Sequence, residues 1–197
     1  MNHRVPSDRA ASRREDLLDQ LTELFLAEGF LQFGIGDLAA RLRCSRSTLY
    51  LVASSKEQIF LAAVRHFFRR ATTRIETLVA NDPSPRSRLS TYLNAVAAEL
   101  APASESFYSD VAAFAPANEV YEENTMRAAA RVGELVKEGI DAGELRAASA
   151  AFVGVAVAEV MKAIQDGRVD AAANMSDSDA YQALTDLVIN GLRPHEG

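Results

Sequence analysis

The 197-residue sequence predicts an all-α protein of about nine helices. Apolar residues recur at i, i+3, i+4 and i+7 in one segment after another, which is the spacing of one face of an α-helix. We find no segment with the period-two alternation of a strand and no internal repeat. The 48% hydrophobic content is enough for a core, and glycines and prolines separate the helical segments.

The first two helices are amphipathic. An apolar stripe over residues 17–25 marks the first helix, and Gly29 is a good C-terminal stop for it. A second stripe over residues 35–42 predicts another short helix with one face to pack inward. Arg43 and Cys44 then form a turn that leads directly into a third helix.

The third helix carries polar side chains on its outer face. Ser45 suits its N-cap, because a serine hydroxyl can accept from a free backbone N–H of the first turn. Leu49 is its one plain core residue. The side chains left facing away can donate hydrogen bonds to phosphates or base edges, and they are Arg46, Ser47, Thr48 and Tyr50. Two such helices are typical of a helix-turn-helix, whose second helix fits the DNA major groove.

Capping residues and prolines mark where the remaining helices begin and end. A fourth helix of about 25 residues starts after Ser55, where Gln58 stands at capping-box spacing, and ends before Pro83. Further helices are predicted from Pro85 to about residue 101, over residues 104–114, from Pro116 to Gly143, over 152–164 and after Ser176. Residues 152–164 are apolar nearly all round, which predicts burial on most sides. Residues 166–179 are rich in Asp, Ala, Asn and Ser and predict an exposed loop.

Charge is divided unevenly along the chain, whose overall net charge is −6. Residues 1–74 hold 12 Lys and Arg against 8 Asp and Glu, a net charge of +4, and the rest of the chain carries −10. A basic head on an acidic body suits a protein that presents one end to phosphates. We interpret residues 1–12 as a flexible arm, 13–54 as the helix-turn-helix domain and 55–197 as a helical effector-binding and dimerisation domain.

Several function classes find no support in the sequence. The N-terminus has no apolar core of a secretory signal, and no stretch has the ~18 continuous apolar residues of a membrane span, so a cytoplasmic protein is expected. A lone Cys44 and three scattered histidines predict neither an internal disulfide nor a metal site, and we expect no cofactor. Glu122 and Glu123 point about 100° apart on a helix and do not share a site. Without a phosphate loop or nucleophile elbow, we expect no catalytic residue and no enzyme.

Residues 13–68 resemble the N-terminal domain of the tetracycline-repressor-type (TetR family) transcriptional regulators. Four elements in register carry the resemblance: Glu28-Gly29-Phe30, Asp37-Leu38-Ala39, Ser45 to Tyr50, and Ser55-Lys56-Glu57. The resemblance implies that Ser45 to Tyr50 is the recognition helix, with Arg46 and Ser47 closest to base edges. It also implies that Thr48, Tyr50 and Lys56 lie near phosphates.

This chain departs from the family pattern at three places. Arg43 stands where the family usually has a glycine in the turn, and residues 52–54 replace the usual His, aromatic residue and Pro. The threonine that often starts the first helix of the motif is replaced around Phe33 and Gly34, so that the phosphate contact of that helix would either come from the backbone, at Gly34, or be missing. We hypothesise that Arg41 and Arg43 supply compensating positive charge near the DNA.

The resemblance further implies a homodimer that binds a palindromic operator, is released by a small-molecule effector, and acts as a repressor. The last two helices are the candidates for the dimer contact, although they could also complete the core of one chain. Aromatic residues of the body are candidates for the effector pocket, although aromatics at helical spacing are more often core: Phe67, Phe68, Tyr92, Phe107, Tyr108, Phe114 and Tyr121. The alternative is an all-α ligand-binding or interaction module of the same fold that has lost specific DNA binding.

Overall fold

The structure, a computed structural model, describes the backbone of residues 6–194 and the side chains of residues 12–194. This part of the chain is all-helical and contains no strand, as predicted. The helices in chain order are α1 (Pro6–Glu28), α2 (Ile35–Arg41), α3 (Arg46–Leu49), α4 (Lys56–Ala80), α5 (Pro85–Leu100), α6 (Glu105–Ala113), α7 (Ala115–Asp141), α8 (Ala150–Gln165), α9 (Arg168–Ala173) and α10 (Asp177–Gly191).

Two helical starts differ from the sequence prediction. The expected arm over residues 1–12 lies outside the described residues up to position 5, and from Pro6 onward the chain already belongs to α1. Pro6 is favourable in a first helical turn, and Ala10 and Ala11 favour continuation. The loop expected over residues 166–179 contains the short helix α9, which is entered through Gly167 at φ +69° and left through Asn174 at φ +52°. It buries no residue, so the expected exposure is met.

The described residues form two compact units. The first contains residues 6–70 and 102–120, and the second contains residues 71–101 and 121–194. The first unit is therefore larger than the domain of residues 13–54 expected from the sequence, because α6 packs against α1. The helix α4 has 25 residues, as predicted, and contributes to both units.

An aromatic core holds the first unit together. Phe30 is fully buried, and its ring centroid lies 4.7 Å from that of Phe60 and 6.0 Å from that of Phe25. From α6, Phe107 lies 6.5 Å from Phe30. Edge-to-face pairs of this kind contribute beyond the apolar area they bury.

Asp110 of α6 fixes the turn between α1 and α2. Its carboxylate accepts from the backbone N–H groups of Phe30 (2.5 Å) and Leu31 (2.8 Å). Gly29 is at φ +76°, and a Cβ there would lie 2.6 Å from the Asp110 carboxylate. Gly29 thus ends α1, as predicted, and also leaves room for α6.

A buried histidine joins α1 to α4 in the same unit. His66 is almost fully buried, and its Nε2 lies 2.6 Å from Asp19 Oδ1. Arg69 lies 2.9 Å from Nδ1. Because a guanidinium only donates, Nδ1 accepts and the proton lies on Nε2, which donates to Asp19. Burial raises the pKa of Asp19, but this hydrogen bond and the charge of Arg70 more than offset it and lower the pKa below its usual value.

The second unit is built around a separate apolar core. α10 packs against α5 and α8, and the core includes Leu89, Leu135, Val157 and Leu184. α5 starts at Pro85 with Ser84 as its N-cap, and α10 starts after the N-cap Ser176, both as predicted. The expectation that α8 is buried on most sides is wrong for the single chain, because Phe152, Val155 and Val160 are exposed.

Candidate nucleic-acid interface

The helix-turn-helix expected from the sequence is present at residues 35–50. Leu38 of α2 and Leu49 of α3 are both fully buried, so each short helix is anchored by a central apolar side chain. Between them Arg43 adopts φ +49°, and the Cys44 N–H donates to the carbonyl of Ala39 (2.9 Å). The turn therefore closes in the left-handed conformation that a glycine would adopt without cost.

The second helix of the motif, α3, is a single turn with a well-defined N-terminus. Ser45 is its N-cap and accepts from the backbone N–H of Thr48 at 3.1 Å, as the sequence predicts. Its Oγ also lies 2.7 Å from the Ser47 hydroxyl. Ser45, Arg46 and Ser47 are exposed, and Tyr50 is 48% exposed. One face of α3 is thus buried through Leu49, and the opposite face offers hydroxyl and guanidinium groups to the exterior.

The guanidinium of Arg46 extends back across α2. A Cβ built on Gly36 would lie 3.0 Å from one terminal nitrogen of Arg46. The absence of a side chain at position 36 therefore leaves room for this arginine beside α2. Its head group remains exposed while it is positioned by the neighbouring helix.

The structure places Gly34 and Lys56 at the edge of the motif. The backbone N–H of Gly34, the N-cap of α2, donates to Asp37 Oδ2 at 2.8 Å, so this group already has an acceptor. The Lys56 ammonium donates to the carbonyl of Leu31 (3.2 Å) and lies 5.2 Å from the ring centroid of Phe60. An ammonium has three donors, so Lys56 keeps capacity for a further acceptor. Their expected roles at phosphates stay predictions.

The two arginines proposed as compensating charges differ in their surroundings. Arg41 forms a two-point ion pair with Glu28, with N···O distances of 2.8 and 2.5 Å, and lies over the ring of Phe33. Arg43 projects from the turn and is exposed. Glu28 balances the charge of Arg41, which leaves Arg43 as the better source of positive potential beside α3.

Substitution of Arg43 tests the cost of its left-handed backbone. We expect Arg43→Gly to be more stable than Arg43→Ala by about 1 kcal/mol, because a non-glycine residue in this region costs about 1–2 kcal/mol and the added freedom of unfolded glycine offsets part of that. Urea unfolding monitored by circular dichroism measures the difference. Since both variants lose the same charge, equal stability would show that the turn relaxes without strain.

Arg14 of α1 is a residue at this motif that the sequence pattern does not single out. Its guanidinium donates to the carbonyl of Val52 at 3.4 Å, three residues after the end of α3. The contact spans 38 residues, and the only sequence signal for it is the Arg13-Arg14 pair near the predicted start of the first helix.

The seven aromatic candidates for an effector pocket fall into both units. Phe67, Phe68, Phe107, Tyr108 and Phe114 belong to the first unit, where ring contacts join Phe67 to Phe68 and Phe107. Tyr92 and Tyr121 belong to the second unit. Burial raises the pKa of Tyr92 to about 12, with nearby Glu76 adding to the effect, and burial likewise raises the pKa of Tyr121. All seven remain predictions as ligand contacts.

Neither a metal site nor a membrane span is evident in the part of the chain that the structure describes. Among its side chains, no group of three or more His, Cys, Asp and Glu could hold a metal ion. None of its helices combines the length and apolar character needed to cross a bilayer. Burial raises the pKa of the Cys44 thiol, against the opposing charge of Arg13.

Comparison with known proteins agrees with this geometry. Residues 17–63 match the model of the bacterial regulatory proteins of the tetR family, a range that contains α2, the turn and α3. No curated protein matches the chain in sequence.

Solved structures extend the likeness over the whole chain. A TetR-family transcriptional regulator from Agrobacterium tumefaciens is 18% identical, covers 94% of this chain and 100% of its own, and has a TM-score of 0.71. A TetR transcription regulator from Haloarcula marismortui is 14% identical over 93% and 100% of the two chains, with a TM-score of 0.76. A protein from Saccharomonospora viridis, described as a transcriptional regulator and solved in complex with choline, is 18% identical over 94% and 99%, with a TM-score of 0.78. These TM-scores establish a shared fold, and the family model covers the domain that carries the helix-turn-helix. The chain therefore carries a tetR-type DNA-binding domain at residues 17–63 and shares the all-helical fold of these solved regulators.

Proposed function

We propose that this protein is a ligand-responsive repressor that binds a palindromic operator as a homodimer and leaves it when a small molecule binds. The observation that carries the proposal is the exposed polar face of α3, with Ser45, Arg46 and Ser47 directed outward over the buried Leu49. A helix anchored in this way can enter the major groove while α2 braces it. We propose repression and not activation, because repression is the commoner behaviour in the family.

Selection from random duplex DNA tests the proposed reading of an operator. The purified chain should enrich a palindrome whose half-sites lie one helical turn apart, ~34–36 Å. Arg46→Ala should weaken binding to that duplex by about 1–3 kcal/mol and relax the preference at one base pair. Arg127→Ala, which removes an exposed arginine of α7, is the matched control. Binding without sequence preference would instead support a module that has lost DNA recognition.

We expect a dimer, because a single small DNA-binding domain binds DNA weakly at cellular salt concentrations. α8 and α10 pack against each other in the second unit and leave large apolar side chains outside. Phe152 is 71% exposed and Leu187 is 72% exposed, with Val155 and Val160 further along α8. An apolar patch on two adjacent helices is typical of an interface between copies.

Charge placed in this patch should dissociate the dimer. We expect Phe152→Glu to sediment as a monomer at about 10 µM, where the wild-type chain is a dimer, because a carboxylate buried in an apolar interface has no partner. Met126→Glu is the control, since Met126 of α7 is comparably exposed but belongs to neither helix. A monomeric wild-type chain, or a Phe152→Glu dimer as stable as the Met126→Glu dimer, would contradict this interface.

The effector is proposed to bind in the helical body, among the aromatic candidates. The choline bound by the protein from Saccharomonospora viridis makes a quaternary ammonium a reasonable first ligand, because aromatic rings bind such cations through their π faces. An open cleft of about 400 Å³ in the first unit is lined by none of the seven candidates; it is lined by Glu28, Gln32, Glu105, Ser106, Ser109 and Asp110. Because this cleft has no aromatic ring in its lining, the aromatic residues remain our candidates for binding a quaternary ammonium.

To release the protein from DNA, the effector must bind more tightly to the conformation with low DNA affinity. The free energy that couples effector binding to DNA binding is typically ~1–3 kcal/mol. The helices α4 and α7 each carry residues of both units and connect them covalently. Two effects of added choline, the first probe, should be measured on the same protein: the change in melting temperature and the change in affinity for the operator. A ligand that raises the melting temperature without lowering operator affinity would not be an effector.

A further inference from the structure

The helix α1 brings two arginines to the recognition helix. Arg14 donates to the carbonyl of Val52 at 3.4 Å, and Val52 is the second residue after Tyr50. The Arg14 side chain nevertheless remains exposed. A guanidinium has five N–H donors, so the contact with one carbonyl leaves several available for a second acceptor.

Arg13 precedes Arg14 in α1 and supplies a second positive charge. It is exposed, and its positive charge acts on the thiol of Cys44, which is the last residue of the turn before Ser45. The geometry thus places Arg14 beside the segment that follows α3, and Arg13 is its neighbour in α1. Among side chains of residues 12–194, neither arginine forms an ion pair.

Arg41 provides the contrast within the same unit. Its guanidinium is neutralised by the two-point contact with Glu28, so its charge is not available at full strength. The exposed cations beside α3 are instead Arg43 and Arg46 of the motif and Arg13 and Arg14 of α1. Protein–DNA affinity is dominated by such cations at phosphates, which also fix the register of the recognition helix.

We infer that Arg14, assisted by Arg13, binds DNA phosphates flanking the base pairs that α3 reads, so that α1 is a third DNA-contacting element. This inference rests on the proposed function. The contact with Val52 positions the Arg14 guanidinium beside the exit of α3, which reduces the freedom that a surface arginine would otherwise lose on binding. A phosphate contact carries no base preference, so the expected effect is on affinity and salt dependence alone.

The salt dependence of operator binding tests this inference. Affinity of the full chain for its selected duplex is measured by fluorescence anisotropy between about 50 and 200 mM KCl. Each phosphate contact contributes about 0.9 to the slope of log K against log salt, so Arg14→Gln should reduce the slope by about 1.8 in a dimer. Arg14→Lys, which keeps the charge, should restore most of the slope. Base preferences should remain those of the wild type.

Arg127→Gln removes the same charge from α7 and should leave the slope unchanged. Urea unfolding of each variant shows whether Arg14→Gln weakens the domain instead. An unaltered slope in Arg14→Gln overturns the inference whether or not the variant is less stable, while an operator still selected by the wild type keeps the proposed function. A wild-type chain that selects no duplex overturns both.

Discussion

Replacement of Gly154 by alanine should destabilise the second unit by at least about 2 kcal/mol. A Cβ at this position would lie 2.2 Å from the carbonyl oxygen of Ala129 and 3.1 Å from its carbonyl carbon. Both atoms belong to the backbone of α7, so no side chain can rotate to make room. A second glycine, Gly133, lies at the same crossing, where a Cβ would be 3.3 Å from the carbonyl of Ala150.

The sign of the effect depends on two opposing terms. Alanine is better than glycine in a helix interior by about 1 kcal/mol, which favours the variant. Separation of α7 and α8 by the distance that the new methyl requires would disrupt contacts of Val157 and Leu135 along the whole crossing. The steric term exceeds the propensity term, because a rigid helix must move as a whole.

Gly191 supplies a matched control for this substitution. It is the last residue of α10, and a Cβ there has open space around it. Urea unfolding should show Gly191→Ala within about 0.5 kcal/mol of the wild type and Gly154→Ala far below it. If the two variants unfold at the same urea concentration, α7 and α8 do not cross as closely as the structure describes.

The parts of the fold that sequence reasoning predicts correctly are those with local signals. Ser45, Ser84 and Ser176 each accept a backbone N–H of the helix that follows, and such a bond joins residues only three apart. The apolar stripes that predict α2 and α4 likewise depend on spacing within a few turns. For this reason the residue pattern alone is enough to predict the helix-turn-helix and its polar outer face.

The features that sequence reasoning missed depend on long-range contacts. Asp110 accepts from the backbone of Phe30 across 80 residues, and Arg14 reaches Val52 across 38. The sequence around Asp110 or Arg14 does not indicate which residue is its partner. The exposure of Phe152 was missed for a different reason: a helix that is apolar nearly all round has the same pattern whether its own chain or a second copy covers it.

Replacement of Phe30 by alanine should cost the first unit about 3–5 kcal/mol, the usual range for a fully buried phenylalanine. Its ring is the common neighbour of four others, at centroid distances between 4.7 and 6.5 Å: Phe25, Phe60, Phe107 and Phe114. The cavity would adjoin α1, α4 and α6 together, so that repacking of one helix alone could not fill it. A domain with about 5–15 kcal/mol of total stability would lose a large fraction of it.

Phe30→Ala allows the folding of the first unit to be measured separately from DNA recognition. Every exposed side chain of α3 is retained, so the variant should still bind any duplex that the wild type selects at low temperature, where enough of the first unit remains folded. Binding should then fail on warming at a temperature well below that of the wild type. Amide hydrogens of residues 35–70 should exchange faster in the variant than in the wild type, because unfolding of the first unit exposes its backbone hydrogen bonds.

Leu31→Ala is the neighbouring control for Phe30→Ala. Leu31 is 41% exposed, and the hydrogen bond that it makes to Asp110 comes from its backbone and survives the substitution. Its loss of stability should be below about 1 kcal/mol, since only part of the side chain is buried. Equal losses for the two variants would mean that the ring of Phe30 stabilises the first unit no more than the partly exposed side chain of Leu31 does. A large loss for Phe30→Ala alone would assign that role to the rings.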